Sequence, residues 1–228
     1  YVRVSAAMTQ LQAAEDELTK SASLEYGSIS IGASENALRL ILLSELEHFC
    51  ARYPHVRIRL LNYSAPQAVK ALENNIIDFA IVSTPVLVHK HMHQEKLVSY
   101  DEILLGGTKY KQFAQQVHYL EDISEMPLIG LCEGSSTHTH YSRFFMEHDL
   151  PFEPDMEAAM TDQVLPMITH NLGIGFYPKS LALEAIEKEL VFPIELTEPL
   201  PNRDVVVITN NHTPINSAAR RFLEFLLE

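Results

Sequence analysis

The chain has 228 residues, 46% of them hydrophobic, which is enough for one large or two modest cores. Its 17 Lys+Arg against 30 Asp+Glu give a formal charge of -13. That balance argues against a collective grip on a phosphate backbone by this segment, while leaving room for a local positive pocket. No run approaches about 18 uninterrupted apolar residues and no basic-then-apolar leader opens the chain, so a cytoplasmic location away from membranes is expected. The start at Tyr1 points to a segment removed upstream. Cys50 and Cys132, both in apolar surroundings, read as reduced structural cysteines rather than a disulfide or redox pair.

Residues 2–20 carry Val4, Ala7, Leu11, Ala14 and Leu18 on an a/d pattern, with no Gly or Pro before Gly27. A seam that narrow predicts a linker or pairing helix (residues 1–24) rather than part of a domain core. From Gly27 the pattern becomes α/β. Ser28–Ala33 predicts a strand that runs through Ser34, Glu35 and Asn36 into a helix over 37–52. That helix is apolar around more than half its circumference, which suggests a second buried contact such as a subunit interface. Pro54 ends it. Val56–Asn62 alternates apolar residues with Arg57 and Arg59, as an edge strand does. A helix over 65–73 and a dense apolar strand, Asp78–Val82, follow, ending at Ser83-Thr84-Pro85.

His89, His91 and His93 would share a face if extended, a spacing with some logic for zinc. Lys90 is adjacent and no carboxylate or cysteine arrives at matching spacing, so a solvated loop is the expectation and no metal is assigned. Lys96–Leu105 opens the next unit, followed by Gly106, Gly107 and a short helix over 109–116. Leu128–Cys132 is a strand leading through Glu133-Gly134-Ser135-Ser136-Thr137-His138 into a helix over 139–147. The strand, polar turn and helix device therefore occurs twice. Phe152–Ala158 is a further strand candidate, and Thr161 and Asp162 can cap a helix through His170. Asn171 to Pro178 reads as a turn into a strand, Leu190–Ile194 as a short strand, Asp204–Thr209 as a last strand, and 214–227 as a terminal helix.

Two α/β units joined by crossings near 83–100 and 195–203 predict a two-lobed clamshell. Lobe I is expected from residues 27–85 and 203–228, lobe II from residues 98–198, with a pocket between them. Catalysis needs a nucleophile beside a base, and no such pair is evident. The Gly-x-Ser-x-Gly elbow is absent, and Gly173-Ile174-Gly175 lacks the helix and acidic partner of a dinucleotide site. What remains is a set of hydroxyls at element ends: Ser34, Ser83, Thr84, Ser135, Ser136 and Thr161. Each can be an ordinary cap, but their common placement favours ligand binding. No enzyme activity and no cofactor are expected.

Four stretches carry a resemblance, by their order and spacing. They are Gly27-Ser28-Ile29-Ser30-Ile31-Gly32, Tyr53-Pro54-His55-Val56-Arg57-Ile58, Leu72-Glu73-Asn74-Asn75-Ile76-Ile77-Asp78-Phe79-Ala80-Ile81, and Leu172-Gly173-Ile174-Gly175-Phe176-Tyr177-Pro178. Together they resemble the effector-binding domain of a LysR-type bacterial transcriptional regulator over about residues 27–228, and residues 2–20 resemble its linker helix. The resemblance implies a periplasmic-binding-protein-like (type 2) clamshell of two Rossmann-like lobes, with the DNA-binding head lying upstream of this chain. It also implies a small effector between the lobes, contacting Ser34 and Asn36, Ser83 and Thr84, Ser135, Ser136 and Thr137, with Thr161 in the same cleft. A small carboxylate or other anion, a homodimer or homotetramer, and DNA reached only through the missing head are the implied partners. Peroxide-sensing relatives carry a cysteine about where Ser136 stands, so no redox mechanism is expected. An extracytoplasmic solute-binding protein, or an enzyme on the same fold, are the alternatives.

Overall fold

A computed structural model of the protein describes residues 27–227. The expected linker or dimerisation helix over residues 1–24 lies outside these residues. The fold is two twisted sheets, each covered on both faces by helices.

The first sheet has the strand order β2-β1-β3-β11-β4. β1 (Gly27–Ala33) lies parallel to β2 (Val56–Asn62) and to β3 (Phe79–Ser83). β3 is buried along its whole length, as its unbroken apolar sequence requires of a central strand. β2 takes the edge that its Arg-x-Arg alternation predicts. β11 (Arg203–Asn210) returns from the far end of the chain and runs antiparallel between β3 and β4 (Met92–Tyr100). On one face, α1 (residues 35–52) and α7 (Ser217–Leu227) pack Phe49 and Phe222 over Phe79, with the Phe79 and Phe222 rings stacked at 5.8 Å. On the other face α2 (Ala65–Glu73) lays Ala68, Val69 and Leu72 over Ala80 and Val82.

The second sheet has the order β6-β10-β5-β9-β7-β8. Its strands are β5 (Glu102–Gly107), β6 (Val117–His118), β7 (Leu128–Leu131), β8 (Met156–Ala158), β9 (Ile174–Pro178) and β10 (Val191–Leu196). α3 (Leu120–Ser124) and α4 (Ser136–Met146) cover one face, placing Phe144, Phe145 and Tyr141 against Phe176. α5 (Thr161–Thr169) and α6 (Lys179–Glu187) cover the other with Val164, Ile168 and Ala182.

Several local expectations change. Lys96–Leu105 is two strands of different sheets, because the chain leaves the first sheet at Asp101. The short helix expected over 109–116 is two single 3-10 turns, Thr108–Tyr110 and Phe113–Gln115. The strand expected over Phe152–Ala158 shrinks to β8, since Pro154 breaks its first half. α1 is interrupted by a π-helical stretch, Leu38–Leu42, and its apolar excess is only partly surplus. Leu38, Leu40, Ile41 and Leu46 pack on the core, while Leu43 is 53% exposed. α6 was not expected at all.

Among the described residues no helix is long and apolar enough to cross a membrane. The imidazoles of His89 and His91 stack at 5.7 Å, and those of His91 and His212 at 4.7 Å, while His89 Nε2 lies 3.0 Å from Glu73. Among the described residues, no three His, Cys, Asp or Glu side chains are arranged to hold a metal ion.

Candidate functional site

A cavity of about 530 Å³ lies between the two lobes. Four polar turns line it, each at the start of a helix. Ser34, Glu35 and Asn36 open α1, Ser64 to Gln67 open α2, Ser135 to Thr137 open α4, and Met160 and Thr161 open α5. The first amides of a helix have no intrahelical acceptor, so helix starts lining a cavity are where backbone donors and a positive dipole end can meet a ligand. Gly134 makes the turn before α4 at φ +83°, a left-handed conformation that glycine accepts without strain.

Seven of the eight residues predicted for the site line the cavity: Ser34, Asn36, Ser83, Ser135, Ser136, Thr137 and Thr161. Their roles differ. Ser34 Oγ accepts from Ala37 N at 3.4 Å and from Ser83 N at 3.2 Å, so it caps α1 and ties that cap to the end of β3. Ser135 Oγ caps α4 by accepting from His138 N at 3.0 Å. Asn36 is 3% exposed and donates through Nδ2 to the Tyr100 hydroxyl at 3.3 Å. Its Oδ1 and Ser83 Oγ are buried and make no hydrogen bond of normal geometry among the described residues. Burial raises the Tyr100 pKa, with Arg203 and, more weakly, the Ser83 hydroxyl and Asn36 pulling the other way. Thr84 is not part of the lining. Its Oγ1 accepts from Asp204 N at 3.0 Å and its carbonyl from Arg203 Nε at 2.7 Å, which fastens β3 to β11.

The residue that sequence reading missed is Arg203. It lines the cavity while 1% exposed, at the point where the second crossing enters β11. Nη1 lies 3.1 Å from Glu102 Oε1 and 3.1 Å from Thr137 Oγ1. Glu102, the first residue of β5, accepts a short hydrogen bond from the Tyr141 hydroxyl on its other oxygen. Burial by itself would lower the Arg203 pKa, but Glu102, helped by Tyr100 and Tyr141, turns the net shift upward. Burial also pushes the Tyr141 phenol far up, with the Glu102 charge adding to it. One signal was available. Arg203 is a lone cation placed between the Pro199–Pro201 crossing and a run of Val and Ile, where a charge must find a buried partner.

The remaining lining includes Glu35, which accepts from Asn62 Nδ2 at 3.2 Å, the exposed Glu133, and the half-buried Cys132. Among the lining residues no serine or threonine hydroxyl is hydrogen-bonded to a histidine side chain. The lining offers hydroxyls and amides that can hydrogen-bond a ligand, and among the described lining residues no hydroxyl is paired with a histidine base.

The chain matches the family model described as LysR substrate binding domain over residues 22–228. The HTH-type transcriptional regulator YofA of Bacillus velezensis is 21% identical over 200 residues, covering 88% of this chain and 67% of that protein. The chain spans between 53% and 67% of the length of the curated relatives it matches. Among solved structures, the regulatory domain of CcmR from Synechocystis PCC6803 in complex with 2-PG has a TM-score of 0.78 at 15% identity, covering 88% of this chain and 96% of that one. The effector binding domain of QuiR in complex with shikimate also has a TM-score of 0.78 at 15% identity, covering 89% and 96%. These likenesses share the two-lobed fold. Residues 22–228 account for nearly the whole chain, and the chain belongs to the LysR substrate binding domain family.

Proposed function

We propose that this chain is the ligand-sensing part of a cytoplasmic, DNA-binding transcriptional regulator, and that the interlobe cavity is its effector site. The observation that carries the reading is the cavity itself: about 530 Å³, walled by both sheets and entered by four helix N-termini. Effector complexes of CcmR and QuiR, on the same fold, support it. Ser34, Asn36, Ser83, Ser135, Ser136, Thr137 and Thr161 are the proposed contacts, with Thr84 acting through β11 rather than directly. A small carboxylate fits the neutral donors. Lobe I is assigned to residues 27–85 and 203–228 together with β4, which lies in the first sheet, lobe II to residues 102–198 rather than 98–198, and residues 1–24 to a linker and dimerisation helix.

The mechanism is a population shift. A ligand touching both lobes favours one lobe arrangement and so changes the geometry of a homodimer or homotetramer and of the DNA-binding heads attached to it. The surfaces proposed for assembly are α1, the edge strand β2 and α7, where Leu43 (53%), Leu60 (37%) and Leu227 (46%) are exposed.

Calorimetry against a panel of small metabolites tests the reading. Saturable binding is expected for at least one carboxylate, and Ser136→Trp should abolish it while leaving the circular dichroism spectrum unchanged. Ser136 is chosen because it lines the cavity without capping α4. Binding that survives Ser136→Trp would remove the cavity from the account. An upstream coding sequence for a signal peptide instead of a helix-turn-helix would replace the regulator with a transport protein.

A further inference from the structure

The charged side chains lining the cavity are Glu35, Glu133 and Arg203. Arg203 is the only cation among them, and its charge is already committed. Its side chain and that of Glu102 are 1% and 2% exposed, with 3.1 Å between Nη1 and Oε1. Glu102 does not line the cavity but stands behind the wall, where Tyr141 and the start of β5 hold it. At this depth solvent screens little, so the carboxylate cancels most of the field that Arg203 would send into the cleft. In and behind the lining, three carboxylates therefore stand against one guanidinium. The remaining donors, hydroxyls and helix-start amides, are neutral. Such donors hold one negative charge well, but a second charge on the ligand meets the repulsion of Glu35 and Glu133 with no free cation to offset it.

Resting on the cleft reading above, we propose that the site selects ligands carrying at most one negative charge, and that Glu102 sets this limit from outside the cavity by neutralising Arg203. Thr137 is the connection. Its Oγ1 sits on Arg203 Nη1 while the residue lines the cavity, so the partner that Arg203 keeps decides the charge presented there. Replacing Glu102 by an uncharged residue of the same shape would expose a full positive charge to the ligand.

The test uses matched probes on the whole protein: benzoate against phthalate and hexanoate against adipate, followed by calorimetry at constant ionic strength. The wild type should bind the singly charged member of each pair about tenfold or more tightly than the doubly charged one. Glu102→Gln should erase or reverse that ratio. It should also gain a rise in Tm from inorganic phosphate, over equal ionic strength of chloride, that the wild type lacks. Wild-type binding of the dianions as tight as the monoanions overturns the proposal, as does an unchanged ratio in folded Glu102→Gln. If Glu102→Gln does not fold, the wild-type ratio decides alone. Ser136→Trp separates the two layers. Dianion binding that Ser136→Trp abolishes leaves the cleft site standing and sinks only the charge rule. Absence of binding by every probe to both proteins sinks both.

Discussion

Arg39 of α1 donates from Nη1 to the Tyr177 hydroxyl of β9 at 2.8 Å, joining the lobes at a point the cavity lining does not include. Arg39 sits in the π-helical stretch of α1, and π turns recur at functional positions. Burial raises the Tyr177 pKa, while Arg39 beside it pulls the other way. Tyr177→Phe removes the acceptor and should lower unfolding free energy by about 0.5–1.5 kcal/mol. In a double-mutant cycle with Arg39→Ala, urea titrations should show the two changes to be less than additive. Full additivity would mean that the contact contributes nothing.

The buried Arg203–Glu102 pair gives a larger effect. Arg203→Ala leaves the Glu102 carboxylate without its cation, and Glu102→Ala does the converse. Each should cost about 3–5 kcal/mol, read from urea midpoints. Replacing both with Met should recover most of that loss, because no unpaired charge is then left inside.

His140 predicts a pH dependence. Burial, with the nearby Arg203 and a weaker effect of Arg143, lowers its pKa from the ordinary 6.5 to about 4, against the opposing pull of Glu102 and the Pro201 backbone. Its Nε2 is buried without a partner among the described residues, which favours the neutral ring. Above about pH 6.5 neither folded nor unfolded chain holds the proton, and the contribution to stability is whole. Between 6.5 and about 4 the unfolded chain takes up a proton that the folded one refuses, so stability falls as pH falls. His140→Gln should flatten this part of the profile in urea midpoints collected between about pH 7 and pH 4. An unchanged slope would place the dependence elsewhere.

Ser34 has two backbone N–H groups on one hydroxyl oxygen. Ser34→Ala leaves both without that acceptor and should cost about 1–2 kcal/mol, the upper part of the range for an N-cap. Thermal unfolding checks this, and Ser34→Thr should retain more stability than Ser34→Ala.

The two-lobed α/β fold was legible because its signals are local and redundant. β3 is a continuous apolar run, β2 alternates, and Ser34, Ser64 and Ser135 stand at the N-caps of α1, α2 and α4, whereas α5 starts after Met160 with Thr161 already inside the helix. α6 was missed although Leu181, Ala182, Ala185 and Ile186 have helical spacing; Pro178 stands at its N-cap, where it offers no side-chain cap to mark the start. Much of the candidate site was legible on the same principle, since each cap lies in sequence beside the helix it opens. Arg203 was not, because its partners Thr84, Glu102 and Thr137 come from three distant stretches and meet only in the fold. The cavity's charge, unlike its shape, is thus a tertiary property.

Arg203 begins the strand after one crossing and Glu102 the strand after the other. An ion pair at that place would serve as an axle if the lobes move relative to one another. Rocking about it would change its length little, and a small rotation there would become a larger displacement at the interlobe contacts of Asn62 with Met160 and of Arg39 with Tyr177. A ligand that shifts the cavity walls slightly would therefore move the outer rims most, and the exposed faces of α1 and β2 would travel with them.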